Sequence, residues 1–272
     1  MPQFSKPPPK IEDDIVQLAY PAEHILHIKM NRPKAFNAMN NALNTALEDV
    51  LNWFESEPTL WVAILGSTSP KAWCAGMDLK QVNLGGKSNW TRNGFGGMTQ
   101  RFTRKPLIGA IRGYALGGGA EMVMNLDIAV AGESTTLGFP EVKRGVVILA
   151  GGLERFVKLV GHQRACELAL TGRNISPQEA QQLGMINYVV PDDQVDAKAL
   201  EIAKTIASNS PDSVMATLYG IRVTDEAGSA RAAHRLFVDS AAIKQVNEGE
   251  NTKIGVKAFA EKKQPKWVPS KL

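Results

Sequence analysis

KPLIGAIRGYALGGGAEMVMNLD, residues Lys105 to Asp127, decides how the rest of the chain is read. Leu107 to Ile111 is an apolar run of the length of a buried strand. Gly117-Gly118-Gly119 then permits a tight turn into a helix that begins near Ala120. The first amides of such a helix have no intrahelical partner and lie at the positive end of its dipole, so they can face a developing negative charge. A glycine run by itself more often permits a turn or close helix packing. Glu121 beside this one, and a second glutamate at Glu141, point to an oxyanion site with carboxylates at hand.

Upstream of this stretch the pattern is strand, helix, strand. In His24 to Met30 the alternation of Leu26, Ile28 and Met30 predicts a strand with one buried face, ending at Asn31-Arg32-Pro33. Met39, Leu43, Ala46, Leu47, Val50, Leu51 and Phe54 recur at three- and four-residue steps, which makes one apolar stripe of a helix. Trp61 to Leu65 is a further buried strand, and the alternation favours an α/β fold class. Lys71 to Leu79 carries a turn at Gly76, where the Ala75 amide is the candidate second donor of an oxyanion pair. Residues 80–104 hold Gly85, Gly86, Gly94, Gly96 and Gly97 with Trp90, Arg92 and Arg101 and no sustained period. They read as a mobile lid or as a solvated excursion. Residues 1–12, rich in proline and lysine, predict a loose arm.

Downstream, Ile128 to Val130 is another short strand, and Leu137-Gly138-Phe139-Pro140-Glu141 is a turn that presents a carboxylate. Gly151 opens a helix with Leu153, Phe156, Val157 and Val160 inward. Ser176-Pro177-Gln178-Glu179 supplies a capping box with proline at the first helical position, and Gly184 closes that helix. Met185 to Val190 is the last strand. Helical spacing dominates from about Asp192, so the core is expected over residues 13–200, a helical region over 201–264 and a tail over 265–272.

The 272 residues suffice for one large domain and a substantial core. With 44% hydrophobic and 21% charged residues the composition is that of an ordinary globular protein. No apolar stretch reaches membrane-spanning length, and no membrane partner is expected. A net charge of +4 is too small to demand nucleic acid, yet it favours an anionic small molecule. Cys74 and Cys166 form no disulfide framework or zinc spacing, which suits a reducing compartment or a peroxisome. His24, His27, His162 and His234 are dispersed. With no P-loop, dinucleotide fingerprint or metal cluster, no cofactor is expected, and the chemistry falls to side chains and substrate.

The quoted stretch and its surroundings resemble the crotonase superfamily, the enoyl-CoA hydratase and isomerase family. The pieces that carry the resemblance are Asn31-Arg32-Pro33 with Asn37-Ala38-Met39, Cys74-Ala75-Gly76-Met77-Asp78 and Gly113 to Glu121. They continue with Asp127-Ile128-Ala129-Val130-Ala131, Gly138-Phe139-Pro140-Glu141, Ala150-Gly151-Gly152 and Leu170-Thr171-Gly172. The resemblance runs from Ile25 to Lys262. It implies a spiral core of repeated strand-strand-helix turns, with C-terminal helices that assemble trimers or hexamers. It also implies an acyl-CoA thioester whose carbonyl oxygen is held by the Ala75 and Gly118 amides, coenzyme A arriving as part of the substrate.

By the same resemblance Glu121 helps deprotonate a water that adds across the C2–C3 double bond, and Glu141 delivers a proton to C2. Substrate or coenzyme A contacts are implied at Arg32, Lys34, Ala35, Gly76, Met77, Asp78, Leu79, Tyr114, Leu116, Gly117, Pro140 and Leu149. Phe259 and Lys262 resemble the helix that reaches the coenzyme A phosphates, often of a neighbouring subunit. Phe237 lines the acyl pocket or a helix core. Ile148-Leu149 stands where the family's hydratases usually carry proline-glycine, which implies a pocket shaped for a branched or bulky acyl group.

Two other readings stay open. An isomerase of the family moves a proton between C2 and C4 with one carboxylate, at the Glu141 position, and Glu121 argues against it. A binding protein that kept the fold and contacts RNA is opposed by the mild charge and the lack of aromatic stacking motifs. Ser270-Lys271-Leu272 is a peroxisomal import tripeptide, so an import receptor and a peroxisomal matrix location are expected.

Overall fold

The computed structural model describes residues 3–83 and 90–272. The elements run β1 (Val16–Ala22), β2 (Ile25–Met30), α1 (Asn41–Ser56), β3 (Val62–Ser67), β4 (Ala72–Cys74) and α2 (Leu79–Asn83). Next come β5 (Leu107–Ile111), β6 (Tyr114–Leu116), α3 (Gly118–Val123), β7 (Ile128–Gly132) and β8 (Thr136–Gly138). The chain continues through α4 (Leu153–Val160), α5 (His162–Thr171), β9 (Asn174–Ile175), α6 (Pro177–Gln182), β10 (Tyr188–Val190) and α7 (Val195–Ala207). It ends in α8 (Pro211–Glu226), α9 (Ala230–Val238), α10 (Ala241–Glu248) and α11 (Glu250–Ala260).

These strands make two sheets, one of six in the order β1-β2-β3-β5-β7-β10 and one of four in the order β4-β6-β8-β9. In the larger sheet β1 and β2 are antiparallel and the other neighbours parallel. In the smaller, β4, β6 and β8 are parallel and β9 is antiparallel to β8. The chain visits the sheets alternately: β3 then β4, β5 then β6, β7 then β8. Each visit closes with a helical turn, α2, α3 or the 3-10 helix Pro140–Arg144, which is the spiral of strand-strand-helix units that the resemblance implied.

Every residue of β3 and β5 is buried, as expected of parallel strands covered on both faces. One face packs with α1 and the smaller sheet around Leu47, Phe54, Trp73, Met122, Phe139 and Phe156. Each such side chain contributes roughly 1.5–3 kcal/mol on burial. The other face, with Ile64, Ile108 and Val130, is covered by Val195, Ala199 and Ala203 of α7. The expected boundary near residue 200 therefore falls inside a helix of the core, and the outlying helical region begins at α8. Arg222 of α8 meets Asp127 at 2.6 Å, and Asp127 also accepts the Leu107 amide at 2.8 Å, tying that region to the core.

Local punctuation follows the sequence. Asn40 caps α1 by accepting from the Leu43 amide, and Ser176 caps α6 from the Glu179 amide with Pro177 next to it. Two expectations fail. The segment read as a loose arm is fastened: Phe4 packs edge-on to Trp53 at 5.1 Å, and Ser5 donates twice to the buried Glu57. Of the 80–104 stretch, residues 84–89 lie outside the described residues. Residues 95–99 are buried, so this part is not a solvated excursion. Glu48 of α1 accepts from Thr91 and Asn93 and pairs with Arg101, while Asn44 accepts from the Gly96 amide at 2.6 Å.

Candidate active site

Three parallel strands of the smaller sheet end at the same place, and each hands over to one part of the site. β4 leads into Ala75-Gly76-Met77, β6 into Gly117-Gly118 and on to Glu121, and β8 into Phe139-Pro140-Glu141. Between them lies a cavity of about 550 Å³. Ala75, Gly76, Met77 and Leu79 line one side; Leu116, Gly117, Gly118 and Glu121 another; and Pro140, Glu141 and Leu149 a third. The two glutamates, twenty positions apart in sequence, are thus brought together.

Glu121 sits in the first turn of α3 and is buried. Its Oε2 accepts the Gly152 amide at 2.8 Å. Burial raises its pKa, and the amides of Gly152, Ala150 and Leu149 act in the opposite direction by favouring the carboxylate. Glu141 lies in the 3-10 helix that Pro140 opens. Burial pushes its carboxyl up to about 7, its own backbone amide opposing and the Glu121 charge adding to the rise. Glu141 Oε2 is buried and makes no hydrogen bond with a described residue. One carboxylate is therefore held by backbone donors, and its neighbour is poised to carry or release a proton near neutrality.

The expected oxyanion pair needs one correction. The Ala75 amide donates to the Phe36 carbonyl at 3.1 Å and is spent on the fold. Gly76, at φ +92°, turns the chain immediately after it. The Gly76 carbonyl then accepts from the Met39 amide at 2.7 Å. In a planar trans peptide C=O and N–H point in opposite directions, so the Met77 amide points away from Met39. It finds no acceptor among the described residues. A β-carbon on Gly76 would lie 2.8 Å from Leu116 O and 3.6 Å from Gly118 N, which sets this turn directly against the start of α3. Met77 and Gly118, both lining the cavity, are therefore the candidate donors. Phe95 covers Gly118, where a β-carbon would come within 2.6 Å of the ring.

Other expected residues fall elsewhere. Arg32 is committed to Asp78 at 3.1 Å and to the Ala38 carbonyl, so it fastens the Met77 turn. Arg32, Lys34 and Ala35 border a separate concavity, and Tyr114, half exposed, faces Phe36. Phe237 packs on Gly220 of α8. Phe259 is 88% exposed on α11, and Lys262 follows that helix; neither lines the cavity of its own chain. None of the four histidines lines it. The lining residues that sequence reasoning did not assign to the site include Trp90, Phe95, Arg144, Val146 and Val147. They lie in stretches without period, and glycine spacing was their only mark.

Comparison with known proteins gives one pattern. A family model described as enoyl-CoA hydratase/isomerase matches residues 21–270. The chain is similar to the mevalonyl-coenzyme A hydratase sidH of Aspergillus fumigatus, 43% identical over 259 residues that cover 94% of this chain and 95% of that protein. It is 40% identical to the mevalonyl-coenzyme A hydratase SIDH of Beauveria bassiana over 283 residues, 99% of each. Among solved structures it resembles the enoyl-CoA hydratase EchA1 of Mycobacterium marinum, with a TM-score of 0.87, 36% identity, and coverage of 94% of this chain and 99% of that one.

Proposed function

We propose, from the premise that this chain belongs to the enoyl-CoA hydratase/isomerase family and is a hydratase of the crotonase superfamily, that it interconverts a 3-hydroxyacyl-CoA and the corresponding 2-enoyl-CoA at a branched β-carbon, as in a mevalonyl group. The observation that carries the chemistry is the convergence of Glu121 and Glu141 on one cavity beside the free amides of Met77 and Gly118. In the hydration direction Glu121 takes a proton from water, whose oxygen bonds to C3. The C2–C3 π pair moves toward the thioester, charge collects on its oxygen, and the two amides receive it. Glu141 then delivers a proton to C2. Each preorganised donor lowers the barrier by roughly 2.7–4 kcal/mol, and each positioned proton carrier contributes about 10²–10⁴ in rate.

Two things support the branched acyl group: the names of the two fungal relatives, and the open apolar wall of Val146, Val147 and Leu149. A turn of proline and glycine at positions 148 and 149 would leave a less apolar rim. The test is to incubate the protein separately with mevalonyl-CoA and with a linear 2-enoyl-CoA and follow each by mass spectrometry. Loss of one water from mevalonyl-CoA, faster than gain of one by the linear thioester, is expected. No exchange of water with either thioester would sink the reading.

Assembly and location belong to the same proposal. Leu236, Val256 and Phe259 are exposed on the helical region, and burying them against further copies would make a trimer or hexamer, which sedimentation would register. The import tripeptide Ser270-Lys271-Leu272 would bring the protein to peroxisomes. A fluorescent fusion ending in it should be punctate and become diffuse when the three residues are removed.

A further inference from the structure

The turn before α4 does more than link two elements. Its Gly152 amide donates to Glu121 Oε2 at 2.8 Å, and the amides of Ala150 and Leu149 also bear on that carboxylate. Gly151 holds φ +105°, a turn that glycine makes without steric cost. The side chain that fixes its carbonyl is Arg155, in the first turn of α4. Its Nη1 donates to Gly151 O at 2.8 Å and to Thr99 O at 2.9 Å. Thr99 is buried behind the cavity wall and holds it: its hydroxyl accepts the amide of the lining residue Phe95 at 2.9 Å, and Asn125 donates to the neighbouring Met98 carbonyl. Arg155 itself does not line the cavity.

We propose that Arg155 is a positioning residue for the hydration chemistry: one nitrogen clamps the turn that cradles Glu121 to the wall that carries Phe95. The proposal rests on the hydration reading. The charged groups around Glu121 are Glu141 across the cavity, Arg144 at its edge and Glu154 from α4. Arg155, also of α4, reaches the cradle through its hydrogen bond to the Gly151 carbonyl. With the clamp gone, the three amides drift from Glu121, the charged form loses its donors and its pKa rises further.

The test follows the Glu121 carboxyl by carbon NMR in protein labelled at the glutamate side-chain carboxyl carbon, with the signal assigned by its loss in E121Q. In R155M the titration midpoint should move to higher pH. The acid limb of kcat should move with it, and kcat should fall about ten- to a hundredfold with KM little changed. R155K should lie between R155M and the parent. A folded R155M that titrates and turns over like the parent overturns the proposal. If R155M does not fold, the same midpoint is read in R155Q, which keeps a donor for one carbonyl; a parental midpoint there overturns it equally. A parent protein that hydrates no thioester would sink the hydration reading, while the carboxyl titration still decides the clamp.

Discussion

A β-carbon placed on Gly152 would lie 2.6 Å from Glu121 Cβ, although the amide of the same glycine is the carboxylate's 2.8 Å donor. The residue that holds Glu121 can therefore carry no side chain. In G152A either the turn or α3 must shift, because the atoms in conflict are close to the backbone on both sides. The expected result is a loss of about 10² in kcat with modest change in KM, the signature of a displaced catalytic group. Steady-state kinetics on the folded variant measures it.

Glu141, pushed up to about 7, sets a pH dependence whose sign depends on direction. Hydration needs the carboxyl protonated, so kcat/KM falls as pH rises through about 7. Loss of water needs it ionised, so that rate falls as pH drops through the same value. E141Q should remove both limbs together with about 10²–10⁴ in rate.

The same shift is a statement about stability. The carboxyl binds its proton more tightly folded than unfolded, so its contribution is full below the unfolded value of 4.5 and is lost as pH rises to about 7. E141Q should accordingly melt above the parent at pH higher than 7 and together with it below 4.5. Calorimetry across that window checks the sign.

At Gly118 the prediction concerns the proposed oxyanion donor. A methyl there meets the Phe95 ring at 2.6 Å, so G118A must move either the ring or the first amide of α3. If the amide moves, about 2.7–4 kcal/mol of transition-state stabilisation goes with it, or roughly 10²–10³ in kcat. Trimming the ring in the double variant G118A/F95A should restore part of the rate. No recovery would place the damage elsewhere.

The N-terminal segment makes a stability prediction. Phe4 touches both Tyr20 and Trp53 and is partly buried. F4A should cost about 1–2 kcal/mol, less than the ~3–5 kcal/mol of a fully buried phenylalanine, and leave kcat untouched. Urea unfolding reads the first and the hydration assay the second.

The parts of this architecture legible in sequence are those with enough length to show a period. The stripe from Leu43 to Phe54 and the buried runs of β3 and β5 announce themselves. β4, β6 and β8 have three residues each, too few for alternation, so the second sheet left no pattern even though it positions the whole site. β1 escaped because Pro21 and polar neighbours interrupt it. At the oxyanion turn, sequence located the segment but chose the wrong amide. The choice depends on which carbonyl the Met39 amide takes and on the positive φ of Gly76, both of which are tertiary facts. Phe95 and Arg155 act through contacts with Gly118 and Gly151, and nothing local marks them.

Because each of three short parallel strands delivers one working part to a common rim, the site resembles a staircase whose landings can be rebuilt separately. A landing altered in length or side chain, as at Val146 to Leu149, changes which acyl group fits without displacing the amides on the floor below. On the proposed chemistry, new specificity on this scaffold is a matter of local editing, and the proposed acid, base and charge-receiving pair travel unchanged from one substrate to the next.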